Sequence, residues 1–396
     1  MATVTRTAGI VGAGITGLAL ATLLARDGWQ VTVLERAPVL GAVGAGFLLQ
    51  PLGQQVAHRL GIGDALAAAS SPVRRVDGRT ARGWPAMQFT YAEALPGAMG
   101  WGVHRGTLFT LLYEASVSAG AVVRPGCEIA TVDPLRKAWT VTDTSGTTHG
   151  PYDLLVGADG ATSRVRRLAF DSRLDRPYRW GALWSIVPDP DRLAGDALIQ
   201  RWDGTRVTLG FLPTGGDRTS IFWSVRASDL DRQLAAGPGA FVDLVSRHAG
   251  QFQPLVDRIP AAGLLSARYR DVAVRTVVGD AAVLVGDAAH AMSPQLGIGA
   301  SMGLADAWTL AWSLGRHADL QQGLAEHAES RRRHVAFYRS VSLLMTPVFQ
   351  SGLRPIGPPR DAALLAATRS RFVRAQMVAL LVGTRSSPWG RWALPG

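Results

Sequence analysis

Cysteine is almost missing: Cys127 is the only one in 396 residues. That excludes an intrachain disulfide framework and fits a reducing, cytoplasmic setting. Lysine is equally scarce, with Lys137 alone, so arginine carries nearly all of the 41 basic charges. This bias fits GC-rich codon usage better than a surface shaped for a partner, and no dense basic tract interleaved with aromatics occurs. Nucleic acid is therefore not an expected partner. No apolar run is long enough to span a bilayer. The apolar N-terminal stretch from Ala8 to Leu24 is interrupted by Gly9, Gly12, Gly14 and Gly17, which argues against a signal peptide and against stable membrane insertion. The histidines (His58, His104, His149, His248, His290, His317, His327 and His334) are scattered without ligand spacing, so no metal centre is expected. Internal repeats and low-complexity linkers are absent too.

What is present is the composition of an ordinary globular protein, 47% apolar, with enough length for about two domains. The net charge of +11 suits attraction of an anionic cofactor or substrate.

Residues 8–11 read as a short apolar strand, followed at once by Gly12-Ala13-Gly14-Ile15-Thr16-Gly17 and a helix over 18–26. A second strand over 30–34 ends in Glu35 and Arg36, with Glu35 18 residues beyond Gly17. This order is the dinucleotide fingerprint. Glycines permit the tight turn and close approach of a pyrophosphate, the helix N-terminus faces the phosphates, and the carboxylate accepts from a ribose hydroxyl.

Two further glycine-marked turns follow. Residues 152–157 form a buried strand running into Asp159-Gly160, with Ser163 and Arg166 placed to bind pyrophosphate or to cap the next helix. Residues 284–286 run into Asp287, His290, Pro294, Gly297, Ile298 and Gly299, with a helix from about 300. Asp287 suits a ribitol or ribose hydroxyl. The backbone of Gly297–Gly299, at that helix N-terminus, suits a flat ring carrying negative charge. Arg105, just before a helix over 107–119, stands ready for an anionic group. Between the second and third turns the chain alternates in β fashion and is rich in aromatics, of which Trp184, Phe211 and Trp223 are candidates to line a substrate pocket. A basic amphipathic helix over 361–381 is expected to pack on the main body.

The three turns, in this order and spacing, resemble the group A FAD-dependent monooxygenases, the para-hydroxybenzoate hydroxylase-like family, over residues 8–335. The resemblance implies an α/β Rossmann-like FAD-binding domain with an inserted, mostly antiparallel β-sheet substrate domain and C-terminal helices. The flavin domain is expected to be discontinuous (1–72, 100–177 and 268–330), the substrate domain to comprise 73–99 and 178–267, and the terminal helices 331–396. It implies FAD contacts at Gly12, Gly14, Ile15, Thr16, Gly17, Glu35, Arg36, Arg105, Asp159, Gly160, Arg166, Gly286, Asp287, Pro294, Gly297, Ile298 and Gly299. Pro294, Gly297 and Gly299 would border the oxygen site and the flavin edge.

The implied chemistry is reduction by NADPH or NADH, reaction with O₂ and hydroxylation or epoxidation of a bulky aromatic or apolar molecule, such as a secondary metabolite, through a flavin C4a-hydroperoxide. The alternative is an oxidase, reductase or redox-neutral cyclase on the same fold. Two departures bear on this. Ser301 replaces the family's usual Asn, and the glycine run at 41–46 lacks the Arg that aromatic hydroxylases often carry there.

Overall fold

A computed structural model describes residues 5–41 and 44–396. Its centre is a six-stranded sheet in which Thr7–Val11 pairs in parallel with Gln30–Leu34 on one side and Leu154–Gly157 on the other. Ala282–Leu284 continues the parallel sheet beyond Leu154–Gly157, and Val122–Arg124 closes the opposite edge. The C-terminal ends of three central strands therefore lie side by side. Each is followed by one of the three glycine-marked turns.

The helix Ile15–Arg26 is buried along its whole run from Gly17 to Leu24, because it is held between this sheet and the helix Gly299–Arg316. Leu18, Leu20 and Leu24 are completely buried there, each contributing about 1.5–3 kcal/mol. An all-round apolar helix is what a position covered on both sides requires.

A seven-stranded sheet forms the second layer, in which Ser172–Pro188, Arg218–Arg226, Val207–Pro213 and Ala197–Asp203 run antiparallel in succession. Arg75–Thr80, from far upstream, adds in parallel to Ala197–Asp203. One face of this sheet packs on the helices between Leu230 and Ala262. The other face turns toward the nucleotide domain, where the Gly46 N–H donates to Ser220 at 2.9 Å. A smaller sheet of Ile129–Leu135, Ala138–Asp143 and Thr148–Tyr152 hangs from the first domain.

The C-terminal region differs from expectation in its breaks. The helix Leu320–Phe349 runs unbroken for 30 residues. The single helix expected over 361–381 is instead two, Gly357–Arg369 and Arg371–Val382, because Ser370 leaves the helical conformation and its side chain accepts the Val373 N–H as an N-cap. No described helix is long and apolar enough to cross a membrane.

Candidate functional site

The three turns touch one another. Gly12 has φ +106°, and a Cβ there would lie 2.5 Å from the carbonyl oxygen of Ala158, the residue before Asp159. Gly286 has φ +60°, and a Cβ there would lie 2.6 Å from Oγ1 of Thr16. The first turn is thus packed against both others, and at each contact only glycine leaves room. Gly14, by contrast, faces open space: a Cβ there would meet nothing within 4 Å. The N-terminus of Ile15–Arg26 opens onto that space.

Glu35 stands where the fingerprint places it, half-buried. One carboxylate oxygen accepts the Ala13 N–H at 2.8 Å and the other the Ala37 N–H at 3.0 Å, so it also holds the glycine turn in shape. Arg36 beside it is exposed. Oδ2 of Asp159 accepts the N–H groups of Arg164 at 2.6 Å and Val165 at 3.2 Å, whereas Oδ1 is buried with no partner among the described residues. Gly160 follows, half-buried, with φ +77°.

Arg166 departs from expectation. Its side chain is completely buried and donates to the carbonyls of Ala288 (2.7 Å) and Ala161 (2.8 Å) and to Asp175 (3.0 Å). Arg166 therefore bolts the second turn to the third from inside, while its buried Nε has no partner among the described residues.

In the third turn burial alternates. Asp287, Pro294, Gly297 and Gly299 are exposed, while Ser293, Leu296 and Ile298 between them are buried. The side chain of Ile298 lies in the core with Leu296, Met302 and Tyr338, which leaves only its backbone facing the cleft. Gly297, with φ +58°, bends the chain into the helix Gly299–Arg316.

Gln50 approaches the same loop and gave no signal in the sequence. It is fully buried, and its Oε1 accepts the Tyr91 hydroxyl at 2.8 Å. Its Nε2 has no partner among the described residues and would lie 4.0 Å from a Cβ on Gly297. Ser301 accepts the Gln50 backbone N–H at 3.3 Å, so its hydroxyl serves the protein and not the cleft. Arg105 lies beside the glycine run that lacks an Arg: a Cβ on Gly44 would meet Cδ of the exposed Arg105 at 2.8 Å. Ala42 and Val43 lie outside the described residues.

Behind the third turn is a buried charged network that periodicity did not reveal. Asp306 accepts the Gly286 N–H at 2.8 Å, His290 at 2.6 Å and Arg331 at 2.7 Å. Arg331 also contacts His334, which reaches the Gly383 carbonyl at 2.7 Å and stacks on Trp392 at 4.2 Å. Burial alone would raise the Asp306 carboxyl, but the charges of His290 and Arg331 outweigh it and hold the group far below the usual carboxylate range.

The three candidate pocket aromatics do not share a face. Phe211 and Trp223 are buried among Phe241, Val245 and Phe252 on the helix-covered face of the large sheet. They are core, and the expectation that they line a pocket is corrected. Trp184 faces the other way, with its ring 5.1 Å from that of Phe222. The Tyr269 phenol lies within reach of Trp184, and burial pushes it up to about 12. A concavity of about 450 Å³ under Arg75, Glu93 and Arg374 shares no residue with the three turns.

Open space at Gly14, an unpartnered acceptor on Asp159, an unpartnered donor on Gln50 and an exposed Asp287 together fit a long, polar, dinucleotide-like flavin. Residues 5–337 match the family model described as the FAD binding domain. The chain belongs to this family. It is 32% identical over 338 residues to the 3-amino-4-hydroxybenzoate 2-monooxygenase of Streptomyces cremeus, a match covering 82% of each chain. It is 31% identical to the aurachin C monooxygenase/isomerase of Stigmatella aurantiaca, over 81% of this chain and 84% of that one. Among solved structures, Klebsiella pneumoniae HpxO complexed with FAD and uric acid superposes with a TM-score of 0.81. That match has 22% identity and covers 97% of this chain and 98% of the other, which establishes the shared fold. The protein is a group A flavoprotein monooxygenase, and FAD is its cofactor.

Proposed function

We propose that this monooxygenase hydroxylates or epoxidises a bulky aromatic small molecule, with NADPH or NADH as electron donor. The observation that carries this reading is the aromatic wall of Trp184, Phe222 and Tyr269 on the sheet face turned toward the nucleotide domain. Flat apolar rings stack favourably on such a wall. The strand Leu265–Val274, which carries Tyr269, is tied directly to the flavin-side loop by the Val272 N–H bond to the Ala291 carbonyl at 2.9 Å.

When bound, FAD supplies two-electron chemistry with nicotinamide and activation of O₂. The chain's own residues supply position and charge. The N–H groups opening the helix Ile15–Arg26 would face the pyrophosphate, and Glu35 would accept from the adenosine ribose. Asp159 would offer its free oxygen along the cofactor, and Asp287 would hold the ribityl chain. The backbone at Gly297–Gly299, heading an 18-residue helix, would stabilise negative charge at the pyrimidine edge, joined there by the Gln50 amide. Pro294 would border the oxygen site, and Arg105 beside Gly44 would contact the FAD.

The test is consumption of NADPH and NADH by purified holoenzyme against a panel of hydroxylated aromatic acids and amines, including 3-amino-4-hydroxybenzoate and aurachin C. Substrate-stimulated oxidation with one ¹⁸O atom from ¹⁸O₂ in the product is expected. Turnover without label would replace this reading by an oxidase, reductase or cyclase.

A further inference from the structure

The small three-stranded sheet brings together three residues that are separated in sequence. Asp143 pairs opposite Ile129, two residues after Cys127, and His149 pairs opposite Val141 on the third strand. Alternation then places Cys127, Asp143 and His149 on one face, the face packed against the nucleotide domain. One ligand atom from each lies within 4.8 Å of the others, and all three residues are buried.

We propose that Cys127, Asp143 and His149 bind a borderline-soft divalent cation, with Zn²⁺ the best chemical match. Thiolate, imidazole and carboxylate together are the donor set this ion prefers, and three protein ligands plus a water complete a tetrahedron. Two of the groups are poorly satisfied as they stand. The buried thiol has only a 3.7 Å contact to the Pro125 carbonyl, and Nδ1 of His149 is buried with no partner among the described residues.

Asp143 is already shaped for the task. Its Oδ1 is held by the Ser145 and Thr147 N–H groups at 2.9 and 3.1 Å, which fixes the carboxylate and leaves Oδ2 directed at His149 at 2.8 Å. Binding would release the thiol proton of Cys127 to solvent as the metal–sulfur bond forms, and would replace the hydrogen bond between His149 Nε2 and Asp143 Oδ2, the imidazole proton then residing on Nδ1. A concavity of about 270 Å³ lined by Thr32, Arg124, Thr148, His149 and Tyr152 reaches the cluster on its His149 side.

The site has a place in the architecture. The Cys127 N–H donates to the Glu35 carbonyl at 2.8 Å, so an ion here would clamp the small sheet to the strand that ends at the cofactor's ribose position. This role is separate from the oxygenation chemistry and does not depend on the substrate.

Chelator-treated, desalted holoenzyme titrated with Co²⁺ tests the proposal. Tetrahedral thiolate-bound Co²⁺ absorbs at longer wavelengths than oxidised flavin, and with one cysteine in the chain any sulfur ligation belongs to Cys127. One equivalent should bind and be displaced by Zn²⁺. Cys127→Ser keeps the turn around Asp143, and should weaken binding by more than the roughly 10–100-fold that follows loss of an outer hydrogen-bond partner. A measurement on the unaltered chain stands beside it: one equivalent of Zn²⁺ should slow alkylation of the single thiol at least as strongly. Absence of the Co²⁺ bands, Co²⁺ binding that persists in Cys127→Ser, or alkylation indifferent to Zn²⁺ would each overturn it.

Discussion

Asp306 accepts the backbone N–H of Gly286 at 2.8 Å, so a carboxylate one helix away sets the position of the turn that presents Asp287. The same carboxylate neutralises Arg331 and orients His290, and all of these groups are buried. Removing one member of such a set strands the rest. Asp306→Ala should destabilise the holoenzyme by about 3–5 kcal/mol and loosen FAD with it. Urea denaturation followed by flavin fluorescence measures both. A loss below about 1 kcal/mol would mean that the network is not what holds the turn.

Asp287 and Glu35 should separate binding from loop integrity. Asp287 is exposed to the cleft, so Asp287→Ala removes a charge-assisted hydrogen bond of roughly 1.5–3 kcal/mol, tenfold or more in FAD dissociation, with little change in stability. Glu35 also satisfies the N–H groups of Ala13 and Ala37, so Glu35→Ala should lower FAD affinity and thermal stability together, while Glu35→Gln restores part of both. Equilibrium dialysis and thermal melts of the three variants decide it. Full FAD retention in Asp287→Ala would show that the third turn has been assigned the wrong end of the cofactor.

The parts of this site that could be read in the sequence are those that are local. Each glycine turn is a contiguous strand, loop and helix start, so residue spacing alone announces it. Asp306 and Arg331 are different, because each sits inside a helix whose outward pattern is that of ordinary packing, and only the tertiary crossing of the two helices joins them. Arg166 was visible as a residue but not as a role, since burial at that position comes from Ala288 and Asp175 arriving from elsewhere. For the aromatics the difficulty was parity. Phe222 and Trp223 are neighbours pointing to opposite faces, and alternation cannot say which face the helices between Leu230 and Ala262 will cover. The Cys127, Asp143 and His149 grouping was hidden for a similar reason, since antiparallel pairing and not spacing brings it together.

That parity yields a paired prediction. Trp184→Ala should raise KM for the aromatic substrate severalfold while leaving FAD content and the melting temperature nearly unchanged. Trp223→Ala should do the reverse, because emptying a buried tryptophan site costs about 3–5 kcal/mol and touches nothing in the cleft. Steady-state kinetics and thermal denaturation on both variants provide the check. If Trp223→Ala alters KM in an otherwise stable enzyme, the assignment of faces is wrong.

The buried histidines fix how the protein responds to acid. Burial lowers His327 to about 4, partly offset by Asp306, and burial with the nearby Arg331 charge lowers His334 to about 3. Both are held neutral in the folded chain, whereas the unfolded chain protonates them near pH 6.5. The unfolded state therefore binds more protons below that pH, and stability must fall as the solution is acidified from about 6.5 toward 4, by up to about 1.4 kcal/mol per pH unit for each histidine. Asp306, depressed in the fold, adds its own loss only once the pH drops below its unfolded value near 4. Urea midpoints at pH 7.5, 6, 5 and 4.5 (chosen to bracket the histidine range, with roughly half-unit spacing at the low end) should trace this decline. His327→Asn should remove its own share of the slope above pH 4.5, up to about 1.4 kcal/mol per pH unit, while leaving the Asp306 contacts in place. A flat profile across that range would show that these imidazoles already carry their protons in the folded protein.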